Sequence, residues 1–201
     1  MTDVFASGLL GKQCWLELAG GKRIRLPVER WSARPGAGDA VLLDACGGPT
    51  LDIGCGPGRL AAALGERGVP ALGVDTSPVA VSLTRARGAA ALRRDVYEQL
   101  PGEGRWQHVL LADGNIGIGG DPVRLLRRVR ELLSSNGSAL IEADRPGHGV
   151  GQSLARVSDG PWFDWGWLGA DAVPRVAAEA GFTVRWVRTH LGRWFTELVP
   201  A

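Results

Sequence analysis

The chain has 201 residues, 45% of them apolar and 22% charged, with a formal net charge of +2. That length suits one domain with a sizeable core, and so small a net charge gives no overall field to draw it to nucleic acid or anionic membrane. Three cysteines without a C-x-x-C pair argue against a disulfide scaffold or a thiolate zinc site, and with no eighteen-residue apolar run and no secretory pattern in residues 1–14 a cytoplasmic protein is expected.

From the N-terminus, residues 14–31 predict a β-hairpin. Trp15, Leu16 and Leu18 run into Gly20-Gly21, after which Ile24, Leu26 and Val28 alternate with Arg23, Arg25 and Pro27. A Pro/Gly loop follows, then a short helix over residues 39–46 that stops at Gly47-Gly48. From Thr50 the pattern alternates. Strand 50–53 leads to helix 59–67, and strand 71–74 leads to a helix capped by Ser77 with Pro78 in its first turn. Residues 91–94 are a weak third strand and 109–112 a stronger fourth. Asp121-Pro122 opens a helix with Val123, Leu126, Val129 and Leu133 on one face, ended by Asn136-Gly137. Residues 139–143 are a fifth strand ending at Asp144.

This order predicts an α/β fold with a doubly wound, mostly parallel sheet. Residues 145–170, rich in Gly and Trp, show no clear period. A helix over 171–180 and strands over 182–189 and 193–199 follow, the last two joined so tightly at Leu191-Gly192 that they must be antiparallel. The expected layout is a single domain: an N-terminal hairpin and loop (1–38), a cofactor-binding core (39–144), a substrate lid (145–170) and a C-terminal helix and hairpin (171–201).

The most informative segment is Thr50-Leu-Asp-Ile-Gly-Cys-Gly-Pro-Gly58. Glycines between a strand and a helix let the backbone bend sharply and approach a ligand with no Cβ in the way, and the helix start offers free N–H groups to a polar ligand. Seventeen residues beyond Gly58, Asp75 ends the next apolar run, where a carboxylate can accept both ribose hydroxyls. The dinucleotide fingerprint G-x-G-x-x-G would need a small residue where Arg59 stands, which disfavours an oxidoreductase. The G-x-G-x-G pattern from Asp52 to Gly58, with Val74-Asp75-Thr76-Ser77, resembles class I S-adenosylmethionine-dependent methyltransferases. The resemblance spans roughly residues 40–199 and implies a seven-stranded sheet closed by a C-terminal antiparallel hairpin.

It also implies a cofactor site. Gly54, Gly56 and Gly58 would pass the methionine part and ribose of S-adenosyl-L-methionine, with the ammonium on Asp52 and the ribose hydroxyls on Asp75, beside Thr76. Asp95 would meet the adenine amino group with Val96 against the ring, and Asp113 would face the sulfonium end. Cys55 reads as a small residue the turn tolerates rather than a reactive thiol.

Methyl transfer needs mainly alignment and desolvation, so no fixed catalytic signature is required. Asp113-Gly114-Asn115-Ile116 stands where many amide and base N-methyltransferases carry N-P-P-[Y/F], which lowers the odds for DNA or exocyclic amines. His148, placed after strand five, is a candidate general base, alongside Asp113. Trp162, Trp165 and Trp167, with Asn115, are candidate acceptor contacts that would wall a flat apolar or aromatic molecule. No metal is expected, although Asp113, Asn115 and Asp144 would offer oxygen ligands to Mg²⁺. Arg124, Arg127, Arg128 and Arg130 read as a solvated helix face; 21 of the 23 basic residues are Arg, a compositional habit rather than a phosphate site. The reading is therefore methyl transfer to oxygen or nitrogen of a small metabolite by a monomer or homodimer, releasing S-adenosylhomocysteine. The alternatives are an RNA or protein substrate, or a non-catalytic cofactor-binding module.

Overall fold

Two sheets organise the chain, with a cleft between them. In the computed structural model, which describes residues 3–201, the N-terminal part comprises α1 (Ala6–Leu9), β1 (Trp15–Leu18), β2 (Arg23–Arg25) and α2 (Val28–Ser32). The predicted hairpin is present, but its second strand ends at Arg25. Pro27, with its fixed φ and no N–H, interrupts the ladder and opens α2 instead. Met1 and Thr2, the start of the predicted extension, lie outside the described residues.

The core follows as α3 (Ala37–Leu43), β3 (Thr50–Ile53), α4 (Arg59–Glu66), β4 (Ala71–Asp75), α5 (Pro78–Ala86), β5 (Ala90–Arg93), β6 (Trp106–Leu111), α6 (Pro122–Leu132) and β7 (Leu133–Ala143). Ser77 caps α5 by accepting the Ala80 N–H, and Asp121 caps α6 by accepting those of Val123 and Arg124. Asn136-Gly137 does not end α6: the chain turns extended at Leu133, so residues 133–138 lengthen β7. The buried stripe of α6 is accordingly Leu125, Leu126, Val129 and Leu132, with Val123 at its margin.

Beyond the core lie β8 (Val150–Val157), β9 (Phe163–Leu168), α7 (Val173–Glu179), β10 (Phe182–His190) and β11 (Arg193–Pro200). The stretch expected to be an aperiodic lid is thus a regular antiparallel pair. Its strands join the N-terminal hairpin in a second sheet of order β2-β1-β8-β9. The pairing joins residues some 140 positions apart, such as Leu16 with Val157. Glycines at 151 and 166 and polar residues at both faces hide the alternation in sequence.

The large sheet has the order β10-β11-β7-β6-β3-β4-β5, parallel except for the C-terminal hairpin. Successive residues of its strands serve opposite layers. Val109, Leu111, Ala139 and Ile141 pack under α6 and α7, while Leu110, Leu140 and Phe195 pack under α3 and α4. From β3 the chain runs outward through β4 and β5, then returns to β6 on β3's other side. Between β3 and β6, therefore, lies the switch point where open α/β sheets bind ligands.

Candidate functional site

The glycine loop at the end of β3 is shaped by close neighbours. Gly54 has φ +67°, and a Cβ there would meet Asn115 Nδ2 at 2.6 Å. Gly58 has φ +77° as the N-cap of α4, with Thr84 so near that a Cβ would meet its Cγ2 at 2.6 Å. Both positions therefore demand glycine on conformation and on space. Of the three loop glycines, Gly54 and Gly56 line the cavity; Gly58, expected beside the ligand, packs α4 against α5.

Asp75 ties this loop to β4. Its Oδ2 accepts the Gly56 N–H at 3.0 Å and its Oδ1 accepts the Ser77 N–H at 2.9 Å. Each oxygen keeps a second lone pair for a ligand hydroxyl. Burial pushes its carboxyl above the usual range despite these bonds. Asp52, fully buried behind the loop, is pushed up to about 7 by burial, with the Arg59 charge opposing. Cys55 lines the cavity, but its thiol is buried between Gly73 and Thr84, and burial drives its pKa far up. Asp95, whose Oδ1 accepts the Tyr97 N–H at 3.0 Å, and buried Val96 complete this end with Thr76.

A six-membered charge network closes the floor. Asp113, at a left-handed φ of 55°, donates its N–H to Glu142 Oε2 at 2.8 Å. Its carboxylate pairs with Arg59 and, at 2.7 Å, with Arg30 of α2. Arg59, only 3% exposed, also pairs with Asp39. Arg193 of β11 grips Glu142 through two bonds of 2.7 and 2.8 Å and reaches Asp39 at 2.9 Å. Burial would raise the Glu142 carboxyl, yet the bonds and charge of Arg193 outweigh it and hold it below the usual range. The Asp113 carboxylate, expected as a base, is thus engaged by Arg59 and Arg30.

The cavity, about 790 Å³, runs from this end to an apolar one lined by Phe5, Leu9, Leu16, Leu26, Trp31, Phe163 and Trp165. Its aromatic rings cluster: Phe5 meets Trp31 and Phe163 edge-on at centroid distances of 6.3 and 5.7 Å and Trp165 in a tilted pair at 6.0 Å. Trp162 also lines it, exposed, beneath the Arg156 guanidinium. Trp167 does not; it covers Gly151 on β8 instead. Asn115 lines the cavity, but its Nδ2 is spent on the carbonyls of Ile53 and Gly54.

His148 sits outside the cavity lining, in the loop after β7, where its Nε2 meets Arg145 Nε at 2.8 Å. Asp144, exposed, is likewise not a lining residue, and among the described residues no three His, Cys, Asp or Glu side chains converge as a metal site. The arginine runs are consumed locally. Arg85 and Arg93 donate to the carbonyls of Ala91 and Thr76, and Arg128 pairs with Glu103 and Glu131. Arg124 alone of its group lines the cavity, stacked on Tyr97 at 4.2 Å.

Sequence reasoning missed the N-terminal wall: Phe5, Leu9, Leu16, Leu26 and Trp31, together with Arg30. The sequence placed Leu16 and Leu26 in the two strands of a hairpin, but nothing local shows which face of the molecule that hairpin would cover.

Residues 50–137 match the family model described as "Methyltransferase domain". Among solved structures, a SAM-dependent methyltransferase from Bacteroides fragilis in complex with S-adenosyl-L-homocysteine superposes with a TM-score of 0.79 at 20% identity, covering 98% of this chain and 93% of that one. The 1,6-didemethyltoxoflavin-N1-methyltransferase of Burkholderia thailandensis gives 0.65 at 19% identity, covering 81% and 76%. The glycopeptide N-methyltransferase MtfA, complexed with S-adenosyl-L-methionine, gives 0.64 at 16% identity, covering 85% and 96%. At these identities the likeness is one of fold.

Proposed function

We propose that this chain, whose residues 50–137 match the methyltransferase domain model and whose fold is like that of S-adenosylmethionine-dependent methyltransferases, methylates an oxygen or nitrogen of a small, flat, apolar or aromatic metabolite. The observation that carries the acceptor class is the cavity itself: one space joins the glycine loop and Asp75 to an aromatic wall. Among the structural neighbours, one holds bound 1,6-didemethyltoxoflavin and another is a glycopeptide N-methyltransferase.

The residues present suit the cofactor. A Cβ on Gly56 would meet only Leu9, at 3.7 Å, so the backbone lies open to a ligand there. The free lone pairs of Asp75 suit ribose hydroxyls, Asp52 suits the ammonium, and Asp95 with Val96 suits adenine. When bound, S-adenosylmethionine supplies a methyl group already activated by its sulfonium. The chain's part is to align and to exclude water: the wall of Phe5, Trp31, Phe163 and Trp165 fixes the acceptor's plane, and Asn115 and Asp113 fix the loops beneath.

The test is transfer of labelled methyl from S-adenosylmethionine into a size-fractionated extract of the source organism. Label in the small-molecule fraction supports this reading. Label confined to macromolecules overturns the acceptor class.

A further inference from the structure

Residues 3–33 meet the cofactor side of the large sheet at a few polar points. Asp3 accepts the Ser77 hydroxyl, Arg87 donates to the carbonyls of Ser32 and Ala33, and Arg30 Nη2 pairs with Asp113 Oδ1 at 2.7 Å. Between these points Leu9 sits over Gly56, and Val4 and Phe5 line the cavity. A molecule seated on the glycine loop lies beneath this segment.

The Arg30–Asp113 pair differs from the rest of the network. Arg59 is sealed, and Arg193 holds Glu142 by two bonds. The Arg30 side chain is 35% exposed and reaches Asp113 at 2.7 Å, and Glu142 only at 4.0 Å, through a single nitrogen. Such a partly exposed pair held through one nitrogen is weak and screened by salt. Its next residue, Trp31, packs on Phe5, which packs on Phe163 and Trp165, so a shift of α2 shifts the acceptor wall. Asp113 itself is held from below by Arg59 and Glu142 and stays with the core.

We propose that Arg30 is a positioning residue: its ion pair with Asp113 latches the N-terminal cap over the cofactor end and opens each time cofactor or product is exchanged. This rests on the proposed function only in taking S-adenosylhomocysteine as the ligand of the glycine loop. A latch that stabilises the closed cap equally with and without ligand controls rates and not affinity.

The test is stopped-flow tryptophan fluorescence of S-adenosylhomocysteine binding to the wild type, Arg30→Gln and Arg30→Lys. Arg30→Gln is expected to raise association and dissociation rates together, each about fivefold, with Kd within about twofold. Arg30→Lys should stay near wild type, and added salt should accelerate the wild type but not Arg30→Gln. Faster dissociation alone, with weaker Kd, would mean that Arg30 touches the ligand and would overturn the latch; so would unchanged rates. If Arg30→Gln does not fold, salt-independent exchange in the wild type has the same force. If the wild type binds no S-adenosylhomocysteine, the functional reading fails separately. Hydrogen exchange of residues 5–11 and 28–33 in the free protein then decides, and no acceleration by salt there sinks the latch.

Discussion

Asn115 braces Gly54 across the switch point of the sheet. Its Nδ2 donates to the carbonyls of Gly54 and Ile53, both at 2.9 Å, from the turn that follows β6. The backbone bend that opens the glycine loop is therefore held by a side chain from the adjacent strand end, and the two halves of the ligand site are mechanically one. Asn115→Ala leaves two partly buried carbonyls without this donor and should cost about 1–3 kcal/mol of stability. Asn115→Asp should be no better, since a carboxylate cannot donate there. Thermal melts of both variants check this; a wild-type midpoint for either would show that the brace is dispensable.

Asp75 fixes the same loop from the other side, through the Gly56 N–H. Asp75→Ala removes that support and the proposed ribose contact together. S-adenosylhomocysteine binding should weaken by about 1.5–3 kcal/mol, the loss typical of a hydrogen bond to a charged group. Calorimetry reads this directly, and unchanged affinity removes Asp75 from the site.

Much of this site was legible because it is local. The G-x-G-x-G turn, Asp75, Asp95-Val96 and Asp113 all stand at strand ends, and short apolar runs alternating with helical segments located every strand of the large sheet. The cap was not legible, for a physical reason. Its sheet joins Leu16 to Val157 and Leu18 to Ala155, and each half alone reads as a hairpin or as irregular chain. The same distance hid Arg30 and Trp31, read as the tail of a strand. His148 falls outside the cavity lining, since adjacency to a strand end gives the rim but not the direction of the loop. The ion network was invisible, since Asp39, Arg59, Asp113, Glu142 and Arg193 sit on five separate elements or loops.

Phe163 offers a way to separate donor from acceptor binding. It lines the apolar end and packs on Phe5 and Trp165, away from the glycine loop. Phe163→Ala should leave S-adenosylhomocysteine affinity within about twofold while lowering methyl transfer to the small-molecule fraction by about tenfold, near 1.4 kcal/mol. Equal transfer by variant and wild type would detach the wall from the acceptor.

The Arg193–Glu142 pair is a stability element with a defined pH response. Arg193 holds the Glu142 carboxyl below its usual range, so the folded state binds the proton less readily than the unfolded chain. The contribution is present above the unfolded value, about 4.3, and is lost as pH falls through the folded one. Glu142→Gln strips one charge from a buried pair and should destabilise by about 3–5 kcal/mol at neutral pH, with the gap to wild type narrowing in acid. A gap that stays constant from pH 7 to 3 would refute the assignment.

Asp52 carries the opposite sign. Burial pushes its carboxyl up to about 7, the Arg59 charge only partly opposing, whereas an unfolded Asp titrates near 3.9. Between these values the folded protein holds a proton that the unfolded chain has released. This stabilisation is complete below the unfolded value and is lost as pH rises through about 7. Asp52→Asn keeps the shape and removes the titration, so the variant should gain on the wild type between pH 5 and 8 in thermal midpoint. Ligand binding should move the other way: the wild type attracts the S-adenosylhomocysteine ammonium better once Asp52 is ionised, and the variant loses that rise. Calorimetry at pH 6 and 8 on both proteins separates the two effects. Parallel pH profiles for wild type and variant, in melting and in binding alike, would mean that Asp52 does not titrate in this range and does not meet the ammonium.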